Sequence, residues 1–245
     1  MKNMEKVTVE KSEKLNRPPE IVIRPQTPVE EFDYLWSVLQ DLPFFRKNNY
    51  KIELPSHPVF QALAKMSPDF SGVDRDQIRK IFESEVYDAS FFDNGLKALE
   101  SERERITQVL PTLAEFHDQW GFRLYPKYDI ALTRYGVGGR YEPDKGRILM
   151  MTSADGTFKR VHPSHTPVHE MVHLGIQDNI VKHFGLTHWE KERIVDQICS
   201  RQFGQLLPGY AVQSQGDIRV DPYVTTETLK DLPTAISHYV TVFPR

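Results

Sequence analysis

His169, Glu170 and His173 stand together in the segment His169-Glu170-Met171-Val172-His173, and their spacing carries chemistry. On a helix, residues four apart share one face, so both imidazoles can aim at a single ion. Glu170 lies beside them, within reach of a water held on that ion. Zinc takes neutral imidazole nitrogens, and a hydrolytic zinc centre needs three protein ligands and one open position. Glu170 is then the base that takes a proton from the metal-bound water. The five-residue pattern arises by chance in about one such chain in forty, so the elements around it decide its weight.

Those elements suit it. Thr166-Pro167 predicts a helix start, with Thr as N-cap and Pro at the first helical position. Val168, Met171, Val172, Ile176, Ile180, Val181 and Phe184 keep apolar residues mostly three to four apart, and Gly185 ends the run as a C-capping glycine would. A second helix follows at once. Thr187 and Glu190 form a predicted capping box, and Trp189, Ile194, Val195, Ile198, Phe203 and Leu206 continue the apolar register. Glu192 and Asp196 are four apart on this helix and face the same way. Glu192 lies nineteen positions after His173.

H-E-x-x-H followed by E-x-x-x-D on the next helix resembles the gluzincin division of the zincin-like zinc metallopeptidases, over roughly residues 128–206. The resemblance implies that His169, His173 and Glu192 hold Zn2+, that Glu170 is the general base and that Asp196 orients a ligand histidine. Metal-bound histidines generally donate their second N–H to a carboxylate or carbonyl, which suits Asp196 independently. Other third ligands fit less well. A metzincin would need Gly where Ile176 stands and His where Asn179 stands. Glu190 is accounted for by capping. His183 is ten residues beyond His173 on one helix, about 15 Å away at about 1.5 Å per residue. His188, opening the second helix, is expected at the surface. The resemblance also implies an edge strand over the cleft that pairs with substrate backbone. An unpaired strand edge suits an extended peptide, and residues 136–152 are expected to supply it, an ordinary hairpin being the equal alternative. An oxyanion-stabilising side chain is expected too. Tyr210, Tyr223, His238 and Tyr239 are candidates, with no motif to choose among them, and His162 and His165 precede the metal helix.

The remaining chain bounds this reading. Its 245 residues suit one large domain or two small ones, with 39% hydrophobic residues as in a folded globular protein. A net charge of −3 gives no reason to expect nucleic acid or an anionic membrane surface. No apolar run approaches the ~18 residues of a membrane span. The first twenty residues are polar, without the apolar stretch of a secretory signal, and Cys199 is the single cysteine. Both favour the cytoplasm, with export lacking a cleaved signal left open. Cys199 falls in an apolar register, as a buried, inert thiol would.

The expected class is α+β: a zincin-like core of a small sheet, an active-site helix and a third-ligand helix, behind a mostly helical N-terminal part. Residues 1–20 read as a flexible arm, 21–121 as the helical region and 122–245 as the core with a C-terminal segment. Within them, residues 20–25 are β-like, and Thr27 and Glu30 form a capping box for a helix through Gln40. Further helices are expected near 58–65, from Asp74 to about 86, and from about 96 to 120 with a break near Pro111. Residues 128–135 and 147–152 read as strands, 157–161 as a further one, and 233–240 as a last helix. The expected activity is zinc-dependent hydrolysis of peptide bonds in a peptide or protein substrate. The alternatives are a zinc-binding module that cleaves nothing, a metal-dependent hydrolase of a non-peptide amide or ester, and a helical interaction protein with an accidental motif.

Overall fold

A computed structural model describes residues 17–160 and 162–244. The chain is α+β. In order it forms strand β1 (Glu20–Pro25), helices α1 (Pro28–Gln40), α2 (Leu42–Lys47), α3 (Pro58–Met66), α4 (Arg75–Ile81), α5 (Asp93–Glu100), α6 (Arg103–Thr107) and α7 (Leu110–Trp120). Strands β2 (Lys127–Thr133), β3 (Gly139–Glu142) and β4 (Arg147–Met151) follow. Helices α8 (His165–Ile176), α9 (His188–Phe203) and α10 (Leu232–Val242) complete it. Among the described residues, 17–20, 107–127 and 171–244 gather into one compact unit, and 21–106 with 128–170 into a second. The boundary falls inside the continuous helix α8. No helix among the described residues is long and apolar enough to cross a membrane.

The sheet has the order β1-β2-β4-β3. β2 and β4 are parallel, Asp129 facing Arg147 and Thr133 facing Met151. β3 is antiparallel to β4, Gly139 facing Met150 and Glu142 facing Arg147. β3 therefore forms one edge. Four charged side chains tie the sheet to the start of α1. Arg24 on β1 donates to Asp129 on β2 at 2.8 and 2.7 Å and to Glu30 on α1 at 2.7 and 2.9 Å. Arg147 on β4 donates to Asp129 at 3.1 Å and also to Glu30. The Arg24 guanidinium holds the Glu30 carboxyl far below its ordinary range.

Helix α1 is capped reciprocally by Thr27 and Glu30 and buries two faces. Phe32, Leu35 and Leu39 pack with Leu42, Phe60, Leu63 and Phe82, while Tyr34 and Val38 pack with Ala131, Val137 and Leu149 of the sheet region. In the other unit, the Trp120 indole donates to the Leu229 carbonyl at 2.9 Å. Tyr223, Tyr239 and Phe243 form an aromatic group there.

Several expectations need correcting. The single helix expected from about 96 to 120 is three short ones, α5, α6 and α7. Pro111 does not break it but sits in the first turn of α7, where a missing N–H costs nothing. The chain turns at residues 101–102 and 108–109 instead. The strand expected at 157–161 reduces to one bridge, Phe158 with Thr152, and Val161 lies outside the described residues, as do residues 1–16 of the expected arm. Helix α8 begins at His165 rather than after Thr166, the Val168 amide donating to the Ser164 carbonyl at 3.3 Å. It ends at Ile176 and passes into a π-helical turn, Gln177–Lys182, before Gly185 reverses the chain at φ +58°. Helix α2 had no expectation of its own, and β3 lies within residues 136–152, which were expected to supply an edge strand or an ordinary hairpin.

Glu31 on α1 is 1% exposed and accepts from the Gln26 amide at 2.6 Å, the Thr133 hydroxyl at 2.9 Å and the Arg134 backbone N–H at 2.8 Å. Burial outweighs these donors and raises its pKa from an ordinary 4.5 to about 7. The folded state thus holds this proton more tightly than the unfolded state, so stability falls as pH rises from 4.5 to about 7 and levels off above. Glu31→Gln should flatten that decline, seen as urea midpoints at the two ends of the window lying closer together than in the parent. An unaltered gap between the midpoints would contradict it.

Candidate metal centre

Every residue of α8 from His165 to Ile176 is buried. A helix buried on all sides belongs to an interior, and polar groups there must be satisfied by partners. This one nevertheless carries His169 at 4%, Glu170 at 6% and His173 at 2% exposure. Its seating explains how such a helix is held. At the N-terminal end the Ser164 hydroxyl donates to Glu102 at 2.9 Å, and Arg105 donates to the same carboxylate oxygen at 2.6 Å. At the C-terminal end, Gly121 in a left-handed conformation ends α7 and carries the chain to Phe122. The Phe122 ring lies directly on Gly175, where a Cβ would stand 1.8 Å from its Cζ atom. The Arg123 amide donates to the Gly175 carbonyl at 2.9 Å, and Asn179 donates to the Gly121 carbonyl.

Helix α9 starts on the capping box read from the sequence, the Thr187 backbone N–H donating to Glu190 at 2.7 Å. Its start fixes the register that turns Glu192 toward α8. One ligand atom each from His169, His173 and Glu192 lie within 4.8 Å of one another. His173 Nε2 and Glu192 Oε1 are 3.4 Å apart. That is longer than an ordinary N–H···O bond of about 2.7–3.2 Å. It matches the edge of a tetrahedron whose ligands sit about 2.0–2.1 Å from zinc, which is about 3.4 Å. Two imidazole nitrogens and a carboxylate oxygen are also a donor set that zinc accepts.

Sequence reasoning missed what surrounds Glu192. Its Oε1 lies 3.4 Å from Lys191 Nζ and 3.9 Å from His188 Nδ1, and its Oε2 accepts from the Gln213 side-chain amide at 3.2 Å. His188 is thus half-buried beside the acid, not at the surface as expected. Burial pushes its imidazole below the ordinary value, against the pull of the Glu192 charge. Asp196, one turn after Glu192, is fully buried and accepts from the Tyr210 hydroxyl at 2.7 Å and the Gln213 backbone N–H at 2.7 Å. Gln213 thereby holds both acids of the E-x-x-x-D pair. It stands in an irregular segment with no periodicity, so no sequence signal pointed to it.

The other named candidates separate clearly. Tyr210 reaches the group through Asp196. Tyr239 is buried and donates to Glu190 at 2.6 Å, while Tyr223 packs edge-on against Tyr239 and His238. Glu190 is therefore occupied by Tyr239 and by the cap. His183 is exposed. His165 opens α8 one turn before His169, its ring 5.1 Å from that of half-buried His162. Edge strand β3 meets α8 at Gly139, where a Cβ would stand 2.5 Å from Glu170 Oε1 and 2.7 Å from Thr166 Cγ2. Only glycine lets strand and carboxylate approach this closely.

Gly175→Ala should lower stability by about 1–3 kcal/mol, the usual range for forcing a methyl into a packed site. Thermal unfolding measures it, and an unchanged Tm would show that Phe122 moves aside freely.

Comparison with family models, with curated proteins and with solved structures yields no match to this chain.

Proposed function

We propose that this protein is a zinc-dependent peptidase of the gluzincin type, with a zincin-like core. The observation that carries the reading is the convergence of His169, His173 and Glu192 from two successive helices, at separations that suit a tetrahedral ion. In this reading each histidine gives one ring nitrogen and Glu192 gives one carboxylate oxygen. Zinc, when bound, would supply positive charge that polarises a substrate carbonyl and acidifies a water. Asp196 would orient a ligand imidazole. A carboxylate has about four lone-pair sites, so the bonds from Tyr210 and Gln213 leave it that capacity.

Glu170 is the proton carrier. It follows His169 on the same buried helix, and its carboxylate lies against Gly139 at the start of the edge strand. It would take a proton from the attacking water and hand it to the leaving nitrogen. Removing such a base should cost about 10²–10⁴-fold in rate. The neighbouring strand favours a peptide over other amides. β3 ends the sheet, and its first residue touches Glu170. An extended chain adding to that edge would bring a backbone carbonyl to the carboxylate. The single cysteine, Cys199, is free and buried in α9, in keeping with work in the reducing cytoplasm.

Protein purified without a metal-affinity tag should carry about one zinc per chain, as the single three-ligand group among the described residues requires. Glu192→Ala should lose it, whereas Glu170→Gln should keep it and lose cleavage of a peptide library by at least about a hundredfold. Full turnover by metal-loaded Glu170→Gln, or wild-type protein that takes up no zinc, would sink the proposal.

A further inference from the structure

One carboxylate oxygen of Glu192 has several nitrogens close to it. His173 Nε2 and Lys191 Nζ each lie 3.4 Å from Oε1, and His188 Nδ1 lies 3.9 Å from it. The other oxygen, Oε2, is held by the Gln213 side-chain amide at 3.2 Å. Oε1 is therefore the oxygen that an ion shared with His173 would take.

Helix geometry alone does not bring Lys191 there. Adjacent residues on a helix point about 100° apart and do not face each other. A lysine at a helix surface ordinarily carries its ammonium out to water. Here the Lys191 side chain is 15% exposed and bends its ammonium back to the buried acid beside it. A pair so covered keeps more of its attraction than one in open water. Zinc would need the same oxygen. An ion about 2.1 Å from Oε1 can be no farther than about 5.5 Å from an ammonium that lies 3.4 Å from that atom. At this separation a divalent ion and an ammonium repel enough, even at the full dielectric constant of water, to weaken binding about tenfold. If the lysine swings away instead, it gives up its contact with Glu192. Either course lowers the affinity for zinc.

We propose, resting on the zinc centre of the peptidase reading, that Lys191 is a built-in competitor of the metal for Glu192. It supplies the counter-charge of the buried carboxylate when zinc is scarce, and it sets the affinity of the centre about tenfold below what His169, His173 and Glu192 alone would give. Hydrolysis at this site then follows the free zinc concentration, over a range correspondingly higher than the bare ligand set would fix.

The test is the zinc affinity of the full-length chain, measured by competition with a chromophoric chelator for the parent, Lys191→Met, Lys191→Gln and Lys191→Arg. Thermal unfolding of the same proteins, stripped of zinc and saturated with it, runs beside it. Lys191→Met and Lys191→Gln should bind zinc at least about tenfold more tightly than the parent. Lys191→Arg keeps the cation and should stay within about threefold of the parent. Stripped of zinc, the two neutral variants should melt below the parent, because the buried Glu192 has lost a counter-charge, yet zinc should raise their Tm by more than it raises the parent's. A lysine that only supports the fold would lower stability and zinc affinity together on removal. Neutral variants that bind zinc no more tightly than the parent, or Lys191→Arg gaining as much as Lys191→Met, would overturn the competitor and leave the peptidase reading standing. Tighter zinc binding by the neutral variants, with no cleavage of peptides by the zinc-loaded parent, would keep the competitor and remove the hydrolase. Absence of zinc uptake by the parent and by every variant would remove both.

Discussion

The organisation of this protein rests on burying one helix entirely while making it carry four titratable side chains, His165, His169, Glu170 and His173. A wholly buried helix is ordinarily apolar, and His169, Glu170 and His173 break that rule within five residues. Desolvating such groups is costly unless the surroundings supply charge and hydrogen bonds. The surroundings here are organised accordingly. Glu192 approaches His173 from α9, and the loop after α9 comes back to hold Glu192 and Asp196 through Gln213. The helix itself is clamped by the Glu102 contact at its start and by Phe122 lying on Gly175.

The sheet contributes a second constraint. Its strands are joined to α1 by Arg24, Glu30, Asp129 and Arg147, which alternate in charge across four segments of chain. Paired carboxylates and guanidiniums that are only partly exposed keep much of their attraction, because water screens them incompletely. That network holds β2 and β4 in the register that sets β3 at the end of the sheet. The glycine at the start of β3 then meets Glu170. A chain of contacts thus runs within one unit from an ion-pair cluster to the acid that the proposed chemistry uses.

How much of this the sequence disclosed follows from how local each signal is. The two capping boxes at Thr27 and Thr187 involve residues three apart, and both helices begin where those residues said. The four-residue spacings of His169 with His173 and of Glu192 with Asp196 likewise survive translation into space, because a helix fixes them. What escaped was set by distant partners. Strand β3 is four residues long and exists because β4 lies beside it. The helix breaks near residues 101 and 108 have no proline or glycine to announce them. Pro111, which does look like a breaker, is accommodated at a helix start. Gln213 gives no sign of itself in the sequence, since its importance depends on where an irregular loop returns. His188 was misread although its place beside Glu192 follows from the same four-residue spacing on α9; what the sequence did not disclose is that this face of the helix start is partly covered.

Strand β3 also bears on how the molecule behaves in company. An open β edge is a template for any chain that can pair with it, including another copy of this protein. Here the template is four residues long and half-covered, and two of its four residues, Arg140 and Glu142, are charged. Arg140 is further engaged by Asp41 at 3.1 Å. So few rungs, fringed by charge, offer little to fibril-like stacking. A short peptide whose side chains find additional contacts nearby gains more from the same edge, so the strand's brevity guards against self-association while leaving a guest room to dock.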